Sequence, residues 1–403
     1  MKDPLEDVQL SETRGGSFVV LGVIVALVAL LFVVNPWVAA IIVGLIVMVM
    51  LHEAGHLIAA RKTGMKATEY FLGFGPRLWS FRRGETEYGV KAIPAGGYVR
   101  IIGMTNMEEV PPEDEPRTYR VSSTGRRLTV VLAGVTVNIL LAWLLFTVAI
   151  AGRGYLLEGP STSVRQVVSG SAAAEAGVKA GDRFVSVDQT PVDSWDELKA
   201  AIEANGGEET TFVVIRDGER VTLTATPEER GGQGFLGVAP GDKVRDITIL
   251  GAIPEGFRSI GDVTTGTVNG IARVFSPSGV QEYSKNFTSN APKAGSEADL
   301  NRPRSVVGIV DEGSSLVNGD FWGLLWLLGA VSLALALFNL IPLPPFDGGH
   351  AAVVVYEAIA SKVRGRTVRA DWRKLMPVTA VVLAIFVTFG LSAMLLDIRD
   401  IAR

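Results

Sequence analysis

Long uncharged runs alternate with polar stretches along the chain, and the lengths of the runs decide the architecture. Residues 15–51 hold no charged side chain. As a single helix they would extend about 55 Å, against a hydrocarbon core of about 30 Å. Asn35-Pro36-Trp37, near the middle, reads as a turn, so the pattern predicts two helices, over 17–34 and 38–60. The runs 128–152, 321–346 and 375–396 are equally free of charge. Each is long enough to cross a bilayer. The prediction is a multi-pass α-helical membrane protein with about five transmembrane helices. A cleaved leader is the other reading of the first run, but Asp3, Glu6, Asp7 and Glu12 precede it, the wrong sign for one.

The polar stretches have patterns of their own. Residues 67–102 alternate in short β-like runs broken by Gly73, Gly75, Gly84 and Gly96, which predicts a membrane-associated β-hairpin. An acidic, proline-rich linker follows over 106–118. Residues 161–230 read as a compact α+β domain: strands at 164–168, 184–187, 211–215 and 221–224, helices at 172–176 and 195–203, and a hairpin turn at Asp217-Gly218. Residues 253–275 fit an amphipathic helix and 276–305 a polar tether. The expected organisation is a tail over 1–16, transmembrane helices over 17–60, the hairpin region over 61–127 and a third span over 128–152. The α+β domain takes 161–230, a linker region 231–320, a broken fourth span 321–360 and a fifth span 375–396.

Charge orients this arrangement. Residues 61–127 carry 12 Lys and Arg against 8 acidic residues, and 357–374 carry 6 against 2. Basic loops face the cytoplasm, so the amino end is expected inside. The stretch 153–320, net −8, is expected outside. A composition of 48% apolar and 20% charged residues, with mean hydropathy +0.32, excludes a disordered chain and argues against an ordinary cytosolic enzyme. A net charge of −4 gives no basic field for nucleic acid. The absence of cysteine rules out thiolate metal sites and a thiol nucleophile. Only three histidines exist, His52, His56 and His350.

Two of them form His52-Glu53-Ala54-Gly55-His56, an H-E-x-x-H pattern. On a helix, positions four apart share one face, so both imidazoles can reach one Zn²⁺. Glu53, one residue on, is placed to act as a general base without being a ligand. Charged residues at membrane depth are costly and mark function. A catalytic zinc site keeps three protein ligands and an open position. The first acidic residue after the fourth uncharged run is Asp347, which follows the helix-breaking Pro342-Leu343-Pro344-Pro345. Irregular backbone at that depth is tolerated where it lines a cavity. Zn²⁺ together with Asp347 and Glu53 sums to zero charge. His350 is expected to support the site or the fold rather than close the coordination.

These residues carry a resemblance. The chain resembles the site-2 protease family of intramembrane zinc metalloproteases, in its bacterial branch with an exported PDZ domain. Matching segments are His52–His56, Phe71-Leu-Gly-Phe-Gly-Pro76, Pro94-Ala-Gly-Gly-Tyr98, Ala133-Gly-Val-Thr-Val-Asn138, the PDZ-like stretch from Gly170 to Asp182, and Asn339 to Gly349. Phe346 and Val135 stand where the family usually has Leu and often has Pro. The resemblance implies His52, His56 and Asp347 as zinc ligands and Glu53 as general base. It implies Asn339 and Asn138 as polar substrate contacts, and Gly73, Gly75, Gly96 and Gly97 in a hairpin that holds substrate. The implied substrates are single-span membrane proteins, such as anti-sigma factors after a first cut or remnant signal peptides. A catalytically inactive membrane PDZ scaffold and a metal transporter are the alternatives.

Overall fold

The computed structural model describes residues 4–288, 302–317 and 319–401. Helix α1 (Pro4–Val34) ends where Asn35 turns the chain. The Asn35 side chain accepts the Trp37 and Val38 N–H groups at 3.2 and 3.1 Å and caps α2 (Pro36–Lys62), with Pro36 at its first position. The helix therefore starts well before residue 17. Pro4 suits a first helical position, and no glycine or further proline follows until Gly15, so the acidic segment expected as a tail continues the helix. Residues 1–3 of that tail lie outside the described residues.

The next uncharged run is α3 (Thr124–Arg153). Among the described residues four helices are long and apolar enough to cross a membrane: α2, α3, Phe321–Asn339 and Trp372–Ile401. The described apolar part of α1, Val19–Val34, is shorter. α2 and α3 approach closely at glycine, since a Cβ on Gly55 would stand 2.8 Å from the Ala133 carbonyl oxygen.

Two long strands, β1 (Ala67–Arg83) and β2 (Thr86–Ile101), make one folded sheet. Residues 69–72 of β1 pair on one side with 87–90 and on the other with 97–100. Both strands therefore bend back on themselves. Gly73 and Gly75, at φ +85° and +83°, supply the bend in β1, and Gly96, at +124°, that in β2. The segment ending the sheet, 97–101, is an edge.

Residues Ile150–Ala252 form a separate compact unit. Its strands are β3 (Tyr155–Val167), β4 (Arg183–Val187), β5 (Thr190–Pro191), β6 (Thr210–Arg216), β7 (Glu219–Ala225), β8 (Glu228–Arg230), β9 (Gln233–Phe235) and β10 (Val238–Arg245). The main sheet runs β10-β3-β4-β6-β7, with helices α4 (Ala172–Glu175) and α5 (Trp195–Ala204). Phe184, Leu198, Phe212 and Val214 are fully buried in its core. The unit is larger than the 161–230 expected. Gln233–Phe235 and Val238–Arg245 are strands rather than linker, because Pro240 and Gly241 interrupt the alternation of β10 without breaking an edge strand.

The amphipathic pattern is α6 (Ile249–Val274). The expected tether begins as helix α7 (Pro277–Lys285), capped by Ser276, and its residues 289–301 lie outside the described residues. Helix α8 (Val306–Val317) lies in the stretch read as linker. Then come α9 (Phe321–Asn339), α10 (Asp347–Arg364) and α11 (Trp372–Ile401). The fourth uncharged run thus stops being helical at Asn339, and Asp347 opens a new helix after the prolines. Gly348 and Gly349 are required there: a Cβ would meet the Leu340 oxygen at 2.3 Å and the Pro344 nitrogen at 2.4 Å.

Candidate metal centre

α2 brings His52 and His56 to its buried face, and the first turn of α10 brings Asp347 to them. The Nε2 atoms of the two histidines lie 3.2 Å apart, and Asp347 Oδ2 lies 3.2 Å from each. The three donors form an equilateral triangle. Ligand atoms at about 2.0–2.1 Å from Zn²⁺ in tetrahedral directions are about 3.3 Å apart, so the triangle has the size of a zinc face. The outer nitrogens fix the direction of the lone pairs. His56 Nδ1 is 2.8 Å from the Val130 carbonyl oxygen, which can only accept, so Nδ1 carries the proton and Nε2 turns its lone pair inward. Asp347 Oδ2 is buried without a hydrogen bond. Converging lone pairs of this kind fit a divalent cation. Among the described residues this is the one cluster of three such groups that could hold a metal.

The support around the triangle was only partly legible. Asn138, expected against substrate, is fully buried with its amide 3.2 Å from His52 Nδ1. Its Oδ1 has no hydrogen-bond partner. Exchanging the two ends of the amide makes Oδ1 the acceptor for an Nδ1–H of His52 and presents His52 Nε2 as a lone pair. Ser332 donates to the Asn138 carbonyl at 3.0 Å, tying α9 to α3 at that level. Gly134 lies in the Ala133–Asn138 segment, one turn before Asn138. A Cβ there would stand 2.4 Å from His56 Nε2 and 2.7 Å from His52 Nε2, so only glycine lets α3 pass over the rings. A glycine inside an otherwise apolar helix was the available signal.

Glu53 lies beside the triangle, and its Oε2 accepts the Val99 N–H at 2.9 Å. The edge of β2 is therefore fastened to the helix that carries the histidines. Gly97 is the point of closest approach, since a Cβ would meet Met50 Sδ at 2.8 Å and Glu53 Cγ at 3.5 Å. Gly73, Gly75 and Gly96 stand further back and shape the sheet: Cβ atoms at Gly73 and Gly75 would touch Ile93, and one at Gly96 the Phe74 ring. Asn339 ends α9, and its side chain makes no hydrogen bond among the described residues. His350 is outside the triangle, its ring 4.6 Å from that of Trp372.

Comparison with known proteins agrees with this chemistry. The family model described as Peptidase family M50 matches residues 40–385. The chain is 35% identical over 392 residues to the zinc metalloprotease Rip1 of Mycobacterium tuberculosis, covering 89% of this chain and 96% of that protein. It is 30% identical over 383 residues to the metalloprotease MmpA of Caulobacter vibrioides, covering 88% of this chain and 90% of that protein. Among solved structures, a PDZ domain from Listeria monocytogenes aligns with 21% of this chain and 90% of its own length, at 17% identity and TM-score 0.18. The family match extends over most of the chain and includes the helices that bear His52, His56 and Asp347; the chain belongs to peptidase family M50 and is a zinc metalloprotease of that family.

Proposed function

We propose that the protein cuts a peptide bond within the transmembrane segment of single-span membrane proteins, with His52, His56 and Asp347 holding zinc and Glu53 as the general base. The observation that carries this is the 3.2 Å triangle of two imidazole nitrogens and one carboxylate oxygen, with both imidazoles on a helix apolar enough to span a membrane. Zinc, when bound, supplies a Lewis acid that polarises a carbonyl and acidifies water. Glu53 takes the proton of the attacking water and returns it to the leaving nitrogen, a transfer worth about 10²–10⁴-fold in rate. The Val99 N–H holds the Glu53 carboxylate in place.

A helical substrate conceals its backbone in its own hydrogen bonds, so it must be opened before it is cut. The edge of β2 supports a way to hold it. In a strand, alternate residues direct their backbone groups to the same side. Since the Val99 N–H faces Glu53, the N–H and C=O of Gly97 face that side too. An extended substrate strand laid there adds to the sheet, beside the metal triangle and with no side chain at Gly97 to obstruct it. Gly73, Gly75 and Gly96 keep that edge bent toward α2. On this reading the basic loops are cytoplasmic, with the amino end inside and the Ile150–Ala252 unit outside the plasma membrane. That unit, PDZ-like in its sequence pattern, screens the outer part of a substrate by length or binds a freshly cut carboxyl end. Anti-sigma factors already trimmed outside, or remnant signal peptides, have the required form.

The test is purified protein with a single-span substrate. Glu53→Gln is expected to abolish cleavage while zinc content stays at wild type. Undiminished cleavage by that variant contradicts the assigned base. Inert wild-type protein with bound substrate would indicate a scaffold, and metal flux into liposomes a transporter.

A further inference from the structure

The bend between the two strands builds a second site, away from the metal triangle. Where α2 ends, at Arg61 and Lys62, the apolar span gives way to charge, so these residues mark the level of lipid headgroups. The tip of the β1–β2 hairpin reaches the same level. Arg61 Nη2 donates to Thr86 Oγ1 at 2.8 Å, and Thr86 in turn donates to the Ala67 carbonyl at 2.6 Å. Between helix end and hairpin tip lies a cavity of about 720 Å³, lined by Arg61, Arg83, Arg117, Glu85, Phe81 and Tyr88. That size lies in the range of sites for small ligands.

Its charge is unbalanced. Arg117 and Glu85 pair at 2.5 Å, while Arg61 lies over the Tyr88 ring at 5.7 Å and reaches Glu85 only through its charge, with no ion pair among the described residues. The Arg83 side chain makes no hydrogen bond or ion pair among the described residues. Two guanidinium groups therefore line the cavity without an ion-paired carboxylate among the described residues. Guanidinium presents paired N–H donors that match the oxygens of phosphate. Beside them the hairpin exposes Trp79 and Phe81, 41% and 46% accessible, in ring contact at 5.2 Å. Aromatic rings at the edge of an apolar zone, next to unpaired arginines, suit a membrane interface.

We propose that this cavity binds the phosphate of an anionic phospholipid, with Arg61 and Arg83 on the headgroup and Trp79 and Phe81 against its acyl chains. The lipid thereby pins the hairpin to the bilayer surface. Because β2 continues from this tip to Val99, whose N–H meets Glu53, the anchored end and the substrate-facing edge belong to one sheet.

The experiment uses the full chain in nanodiscs of phosphatidylcholine with a minor fraction of phosphatidylglycerol, and counts retained lipids by native mass spectrometry. Wild type is expected to retain phosphatidylglycerol in preference to phosphatidylcholine. Arg83→Gln and Arg61→Gln each reduce that retention, by about five-fold per arginine. Arg83→Lys restores part of it, and Arg126→Gln, outside the cavity, leaves it unchanged. Retained zinc in every variant shows that the fold survives. Equal retention of the two lipids, or undiminished retention in the double variant with zinc intact, overturns the proposal. Displacement of the lipid by millimolar inorganic phosphate also overturns it, since the site would then be one for free phosphate.

Discussion

Two aspartates, one in each compact unit, show how differently a buried carboxylate can be used. Asp182, between α4 and β4, is 1% exposed and satisfied on every side. Arg216 Nε and Nη2 donate to its two oxygens at 2.7 Å each, and the Lys179 N–H adds a bond at 2.8 Å. Arg216 also reaches the Gly177 carbonyl at 2.7 Å, so the pair stitches a turn to a strand. Asp347 faces two imidazoles at 3.2 Å, with one oxygen lacking any hydrogen bond. The first carboxylate is surrounded by donors, the second by other acceptors. A carboxylate with matched donors holds a fold together. One among converging lone pairs requires a cation.

Substitutions sharpen that contrast. The largest effect is expected from Asp347→Ala, which removes one corner of the triangle. Zinc content should fall to background and cleavage with it, while Asp182→Ala leaves zinc unchanged by elemental analysis. Gly134→Ala comes next. It changes no donor, but its methyl falls 2.4 Å from His56 Nε2, so zinc affinity should drop further than it does on loss of a supporting hydrogen bond. A competition titration against a chelator measures this, and unchanged affinity would mean that α3 can retreat from the rings. Asn138→Ala frees the His52 ring and should weaken zinc by about 10–100-fold, with Asn138→Gln no better, because the longer side chain cannot keep the same contact.

The smallest effect concerns pH and the other aspartate. Burial alone would raise the Asp182 carboxyl, but Arg216 and the Lys179 N–H outweigh it and hold the group below its ordinary value. A lowered folded pKa gives stability that is complete above the unfolded value of about 3.9 and disappears as pH falls below it. Arg216→Ala should therefore weaken hydrogen-exchange protection of β4 and β6 at pH 7. The difference from wild type should shrink below about pH 4. A difference that persists there would assign the role of Arg216 to packing.

How much of this was legible in the sequence depended on how local the signal was. Asn35-Pro36 marks a helix boundary because capping and proline act within three residues. His52 and His56 share a face because helical geometry alone requires it. Asp347 required more, namely that prolines break a helix and that charge at membrane depth is costly, and both hold for any chain. What escaped depends on contacts distant in sequence. Nothing near Asn138 shows that its amide meets a ring 86 residues earlier. Gly134 looks like any small residue of an apolar helix until the His52–His56 pair is placed beneath it. β10 was missed because Pro240 and Gly241 disturb its alternation, and only pairing with β3 makes it a strand.

The most direct test of the account is X-ray absorption at the zinc edge on purified full-length protein. It should show one zinc per chain, with two imidazole nitrogens and carboxylate oxygen at about 2.0–2.1 Å. In Asp347→Ala carrying added zinc, the shell should lose a carboxylate oxygen while any imidazole signal that remains is paired. A zinc shell without imidazole, or one identical in wild type and Asp347→Ala, would contradict the triangle as the metal site.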